Sequence, residues 1–285
     1  MSAACGKGPS APADASSTLR VGFGLSSGAN PTAGLRQVVN VLAHEGLFQF
    51  SGDGRPQPWL AERLDGSPDG LEWRIRLRPQ ARFHDGRPVN AETVRQSLVS
   101  SLPAMLGPAY NDIASIDATG EFEITVRLKR RSTFAIEGLD VPIAPPDAPG
   151  IGTAAFKTAL ADGARFEMVA NDSYYYGRPA IERIVFRQFP SVRAAWAELL
   201  RGEVDVLYDV GADALDSLKA SSTRVVTFTR PYTSVVLLNN RRAPFNDRTF
   251  RRAVSDAIDR EQFVRDGLQG LGRVVANPVW PDHWA

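Results

Sequence analysis

Cysteine is almost absent from this 285-residue chain, Cys5 being the single one. One thiol can close no intrachain disulfide and build no Cys-rich zinc site. Histidine is nearly as scarce: only His44, His84 and His283 occur. None stands four residues from another and no His-Glu-x-x-His is present, so a zinc-hydrolase arrangement cannot be drawn. Neither sign of charge is in excess, since 33 basic and 32 acidic residues leave a formal net charge of +1. That balance, without a long block of one sign, does not suit a nucleic-acid surface. The longest basic cluster, Lys129-Arg130-Arg131, reads as a solvated turn. No apolar run approaches the roughly 20 residues of a membrane-spanning helix. Gly-x-Ser-x-Gly and Gly-x-x-x-x-Gly-Lys-[Ser/Thr] are also missing. With no nucleophile–base pair legible, the chain is expected to be no enzyme and to carry no cofactor or metal. Gly22, Gly24 and Gly28 spell Gly-x-Gly-x-x-x-Gly, one residue off the dinucleotide fingerprint, with Asn30 and Pro31 where a helix should open.

The length suits one large domain or two ordinary ones. The clearest element is residues 71–77, where Leu71, Trp73, Ile75 and Leu77 alternate with Glu72, Arg74 and Arg76, the period of a half-buried strand. Asp69-Gly70 and Asp85-Gly86 are turn dipeptides on either side of it, and His84 is expected to bond locally within the second. Asn90 is placed to cap a helix burying Val94 and Leu98. Pro103 and Gly107-Pro108 should break that helix beyond Leu102. Residues 19–25 predict a first strand, and residues 32–43 a helix with Leu35, Val38, Val39 and Leu42 on one face. Phe122, Ile124, Val126 and Leu128 mark another strand. Pro142, Pro145, Pro146 and Pro149 stiffen a connection.

Residues 181–189 predict a strand, followed by a helix over 192–201 that Ser191 caps and that should bury Trp196, Leu199 and Leu200. A strand over 203–207 follows. This strand–helix–strand order requires part of the sheet to be parallel. Residues 225–228 and 234–238 read as two further strands. Residues 247–264 read as one helix, with Asp247 at its cap and Phe250, Ala253, Val254, Ala257, Ile258 and Val264 on its apolar face.

Several of these segments also carry a resemblance. Glu45-Gly46-Leu47, Gly54, Pro58, Leu60-Ala61-Glu62, Ser67, Asp69-Gly70, Leu77-Arg78, Phe83-His84-Asp85-Gly86, Pro88, Ala91-Glu92 and Val94 follow the order and spacing of a known signature. It resembles the opening of the extracellular solute-binding proteins of family 5, the peptide- and nickel-type receptors of ABC importers. Gly152, Thr153, Ala155 and Phe156 fit a second family motif, with Ala154 standing where the family has glycine. Asn171, Tyr174, Gly177 and Pro179 fit a third, and Leu199, Gly202, Glu203 and Asp205 a fourth. The run from Asn239-Asn240 through Pro244-Phe245 and Asp247 to Ala257-Ile258-Asp259-Arg260 fits a fifth, with Phe250 where valine is usual.

The resemblance implies an α/β, periplasmic-binding-protein-like fold (type II, cluster C-like), a mixed-sheet lobe with an inserted small α+β lobe. Residues 18–43 plus 150–238 would form the first large lobe and 44–149 the small one. Residues 239–285 would be the truncated start of a second large lobe, mostly absent because the family is longer; the apolar face of helix 247–264 would then lie uncovered. Residues 1–17 read as a flexible tether. Ser2-Ala3-Ala4-Cys5-Gly6 resembles the end of a bacterial lipobox, which would make Cys5 a lipidation site and the only membrane attachment.

By the same resemblance the chain is the substrate-binding subunit of an ABC importer, in the periplasm or on the outer face of the cytoplasmic membrane. It would capture a peptide-like or other polar solute in an interlobe cleft and pass it to permease subunits. Two readings stay beside it: a hydrolase on a binding-protein scaffold, and a nickel or metal-chelate receptor. A cleft needs aromatic walls and a few polar groups. The candidates are Ser26, Ser27 and Asn30 after the first strand, Tyr208 and Asp209 after the 203–207 strand, Tyr232 and Thr233, and Tyr110 in the small lobe.

Overall fold

Residues 17–24, 33–132, 134–162, 165–208, 223–226 and 234–275 are described by the computed structural model of the chain. The chain divides into two compact units, Met1–Gln49 with Pro56–Asp209, and Phe50–Arg55 with Val210–Ala285. Up to residue 208 the elements run β1 (Thr18–Gly24), α1 (Ala33–Ala43), β2 (Phe48–Phe50), β3 (Pro56–Pro58), β4 (Ala61–Gly66), β5 (Glu72–Leu77), α2 (Ala91–Leu106), β6 (Ile113–Gly120), β7 (Glu123–Leu128), α3 (Phe134–Glu137), β8 (Phe156–Asp162), β9 (Arg165–Ala170), β10 (Arg183–Phe189), α4 (Val192–Leu200) and β11 (Val206–Tyr208).

The fold is mixed α/β. One sheet has the order β11-β1-β10-β9-β8. Its β1 runs parallel to both β10 and β11, while β9 is antiparallel to β10 and β8. The crossover β10–α4–β11 therefore straddles β1, as the strand–helix–strand order requires. The Ser191 hydroxyl accepts the Ala194 N–H at 3.1 Å and starts α4. The helix buries Ala195, and Leu200 is 64% exposed, against the expectation from sequence. Trp196 and Leu199, also expected to be buried, are half-buried, and Leu200 is rotated about 100° from Leu199. Phe23, Leu35, Met168, Ile184 and Phe186 form the core of this sheet and α1.

The second sheet is antiparallel, in the order β4-β5-β7-β6. Ile75, Leu77, Val94, Leu98, Leu102, Ile124 and Val126 make its core with α2. The Asn90 side chain accepts the Thr93 N–H at 2.9 Å, as its position before the apolar run predicts. Helix α2 does not break at Pro103 but continues to Leu106. Pro103 sits on the exposed side, so solvent can satisfy the carbonyl it leaves unbonded. Leu102 is buried and Leu106 packs on the same core, holding the last turn in place. The stop comes at Gly107, whose φ of 54° favours glycine.

Of the second unit, residues 234–238 contain no strand, and of the strand expected over 225–228 residues 225 and 226 are not in one while 227 and 228 lie outside the described residues. Isolated β-prone residues gain no ladder hydrogen bonds, so the apolar content of 234–238 does not make it a strand. The single helix expected over 247–264 is interrupted. Helix α5 (Arg248–Asp256), capped by Asp247 accepting the Thr249 N–H at 2.7 Å, is followed by a second start capped by Asp259. None of residues 234–275 is buried. Among the described residues no helix is long and apolar enough to cross a membrane.

Candidate functional site

The chain leaves the five-stranded core at Ala43, builds the four-stranded one, and returns at Phe156. The outgoing and returning segments lie against each other. The Ala154 N–H bonds the Ala43 carbonyl at 3.1 Å, and a Cβ at Gly152 would lie 1.8 Å from that same oxygen. A glycine is needed at this crossing because two backbones touch there. The outgoing segment is tied on its other side by Leu47 N–H to Leu139 O at 2.9 Å and Ile143 N–H to Glu45 O at 2.9 Å.

Glu45 stands at the centre, fully buried. Its Oε1 accepts the hydroxyls of Tyr174 at 2.7 Å and Tyr175 at 2.9 Å, and its Oε2 accepts the Thr153 hydroxyl at 2.8 Å. A turn presents the tyrosines: Asn171 is buried, its Nδ2 donates to Ala154 O at 3.1 Å, and Gly177 closes the turn at a φ of 104°. Behind the tyrosines the Arg78 guanidinium lies 5.7 Å and 5.0 Å from the ring centres of Tyr175 and Tyr176, and its Nε donates to Trp59 O at 2.7 Å.

Burial pushes the Glu45 carboxyl above its usual range, while the hydroxyls of Tyr174, Thr153 and Tyr175, and then the Arg78 charge, pull it back. Burial, and then the charge of Glu45, pushes both tyrosines up, so they remain hydrogen-bond donors. The arrangement fastens two cores. Both carboxylate oxygens are occupied by donors, which suits holding and not proton transfer.

His84 was expected to bond within its own turn. It bonds instead across the crossing: its Nε2 lies 3.0 Å from Ala154 O and its backbone N–H 2.8 Å from Gly152 O. The turn itself is closed by Asp85, which accepts the Arg87 N–H at 3.0 Å, leaving the imidazole free to reach the returning segment.

Of the cleft candidates, Tyr110 is half-buried against the four-stranded core, and Tyr208 is half-buried against the five-stranded core with its ring 5.0 Å from that of Phe23. They pack on different cores. Ser26, Ser27, Asn30, Asp209, Tyr232 and Thr233, and the lipidation candidate Cys5, lie outside the described residues. Among the described residues no group of three or more His, Cys, Asp or Glu could hold a metal ion. Of the residues that do converge, Glu45, Thr153 and Tyr174 come from three of the sequence motifs, which marked them without indicating that they meet; Tyr175 fills an unspecified position of the third motif and was not marked at all.

The described fold is thus mixed α/β, with two cores in one compact unit joined by paired crossing segments. The chain belongs to the bacterial extracellular solute-binding proteins of family 5, whose middle-region profile matches residues 55–285. It is 26% identical over 249 residues to the oligopeptide-binding protein AppA of Bacillus subtilis, covering 79% of this chain and 46% of AppA. It is 27% identical over 260 residues to the nickel-binding periplasmic protein of Escherichia coli, covering 82% of this chain and 49% of that one. The chain thus spans about half the length of these relatives. Among solved structures, NikZ from Campylobacter jejuni in complex with Ni(L-His) superposes with a TM-score of 0.72 at 22% identity, covering 92% of this chain and 57% of NikZ. AppA in complex with a nonapeptide gives 0.69 at 24%, covering 94% and 58%. The relatives are named as binding proteins, and the structural likeness carries the fold.

Proposed function

We propose that this chain is the ligand-capturing part of an ABC importer receptor, taking a peptide-like or other polar solute and performing no chemistry on it. The observation that carries this reading is membership of a solute-binding family across residues 55–285. The name of AppA, which covers 79% of the chain, gives the reading its ligand class. Tyr110 and Tyr208, with Ser26, Ser27, Asn30, Asp209, Tyr232 and Thr233, are the residues we assign to the cleft. The chain would work outside the cytoplasmic membrane, held there through Cys5, and release its solute to permease subunits. Closure of the lobes about a hinge would trap the solute.

A nickel-chelate reading is favoured by the 27% identity to the nickel-binding protein of Escherichia coli. Melting the chain with a pool of di- to oligopeptides, and separately with Ni(II) plus L-histidine, distinguishes the two. A ligand that binds only the folded state adds about 2.7 kcal/mol at a hundred times its Kd. A rise in Tm with peptides alone is expected. A rise with nickel–histidine alone would replace the peptide reading by the chelate one. No rise with either counts against capture by this chain.

A further inference from the structure

Two imidazoles flank the crossing, and the fastening by Glu45 uses neither. His44 follows the last residue of α1, and both its ring nitrogens are buried without a hydrogen-bond partner. The backbone carbonyls of Asn40 and Pro149 face the ring and favour its charged form, but neither meets hydrogen-bond geometry. His84 reaches Ala154 O from the other side. A carbonyl only accepts, so the Nε2 of His84 carries a proton. Ala154 in turn clasps Ala43, the residue before His44.

We propose that His44 and His84 make this crossing a proton-sensitive joint, closed while both rings are neutral and loosened when either is charged. A charged imidazole without a countercharge is costly in a buried site, and opening to water relieves the cost. The charges around the pair do not supply that countercharge. Lys157, whose Nζ donates to His84 O at 3.2 Å, disfavours a charged His84, and so does His44. The hydrogen bond to Ala154 O and the charge of Asp85 favour it, but burial outweighs both, and the Asp85 carboxylate is held by Arg87 at 2.6 Å. The carboxylate of Glu45 is committed to its three hydroxyls. Burial, the largest influence on each ring, holds both below the usual imidazole value.

The sign follows. A depressed folded pKa means the opened form takes up the proton first as pH falls through about 6.5, so the closed form loses stability there. One pH unit below that point, each ring that charges only on opening favours the open joint about tenfold. Glu45 works the other way, because acid produces the neutral carboxyl that burial prefers. The joint is read without any ligand, so it stands or falls apart from the proposed function.

The test is amide hydrogen exchange of the full chain at pH 7.5 and 5.5, corrected for intrinsic rates, with NMR titration of the imidazoles. Protection at Ala154, Leu47 and Ile143 should fall by about tenfold or more, while amides of the β5–β7 ladder hold. His44→Phe with His84→Gln, which keeps a ring and a donor without the titration, should abolish the change. Unchanged protection at the joint, or a loss that persists in the double variant, overturns the proposal. Should the double variant fail to fold, the wild-type titration decides: imidazole pKa values at or above 6.5 for both His44 and His84 overturn the joint, and values below support it.

Discussion

Replacing Glu45 by alanine should lower stability by about 3 kcal/mol, because the buried Thr153 hydroxyl and the half-buried hydroxyls of Tyr174 and Tyr175 lose their acceptor at once. Tyr174, Tyr175 and Thr153 all donate to this one carboxylate, which is fully buried. Glu45→Gln should cost much less, on the order of 1 kcal/mol. The amide oxygen keeps the tyrosine bonds, and the amide nitrogen can donate to the Thr153 hydroxyl. Urea unfolding followed by fluorescence measures both. A Glu45→Ala variant within 1 kcal/mol of the wild type, on the scale of an ordinary surface change, would remove the cluster from the account of how the cores are joined.

The same residue makes a pH prediction of definite sign. Its folded pKa is raised above the unfolded value, mainly by burial. The ionised form is therefore a cost at neutral pH, relieved as pH falls through the folded pKa. Acid should strengthen this site, and Glu45→Gln should remove that part of the profile.

Among the glycines of the described residues, Gly152→Ala is expected to be the most damaging substitution. Its Cβ would meet Ala43 O at 1.8 Å, Ala43 C at 2.7 Å and the His44 Cα at 3.1 Å. All three are backbone atoms, which no rotamer change can move aside. The two crossing segments must part, at a cost of about 3 kcal/mol or more, or the chain fails to fold. Gly150→Ala, two residues earlier with nothing within 4 Å of its Cβ, is the control and should be near neutral. Equal melting temperatures for the two variants would mean the segments do not touch as described.

What could be read in advance follows the range of the forces involved. The strand β5, the Asn90 cap and the turns at Gly70 and Gly86 were legible because each depends on neighbours within a few residues. The family motifs identified the scaffold, and the profile match over residues 55–285 bears that out. They did not reveal what their residues do. Glu45, Thr153, Asn171 and Tyr174 were legible only as members of motifs, and the structure gives them one shared task, holding the crossing.

The misreadings share a cause. Pro103 is a helix breaker by its local chemistry, but packing of Leu102 and Leu106 carries α2 past it. His84 was assigned a local bond because turns usually make one, and its partner is Ala154, 70 residues on. Residues 234–238 have the composition of a strand, and composition does not provide a second strand to pair with.

The strands β1, β5, β7 and β10, the helix α1, the caps at Asn90, Ser191 and Asp247, the turns at Gly70 and Gly86, and the family were legible in the sequence alone, since those rest on periodicity, φ preference and motif spacing. Tertiary structure alone decided that Glu45 meets partners 108, 129 and 130 residues away, and that His44 and His84 flank one crossing. Such contacts depend on how two finished cores are set against each other. No rule that acts over a few residues carries that information.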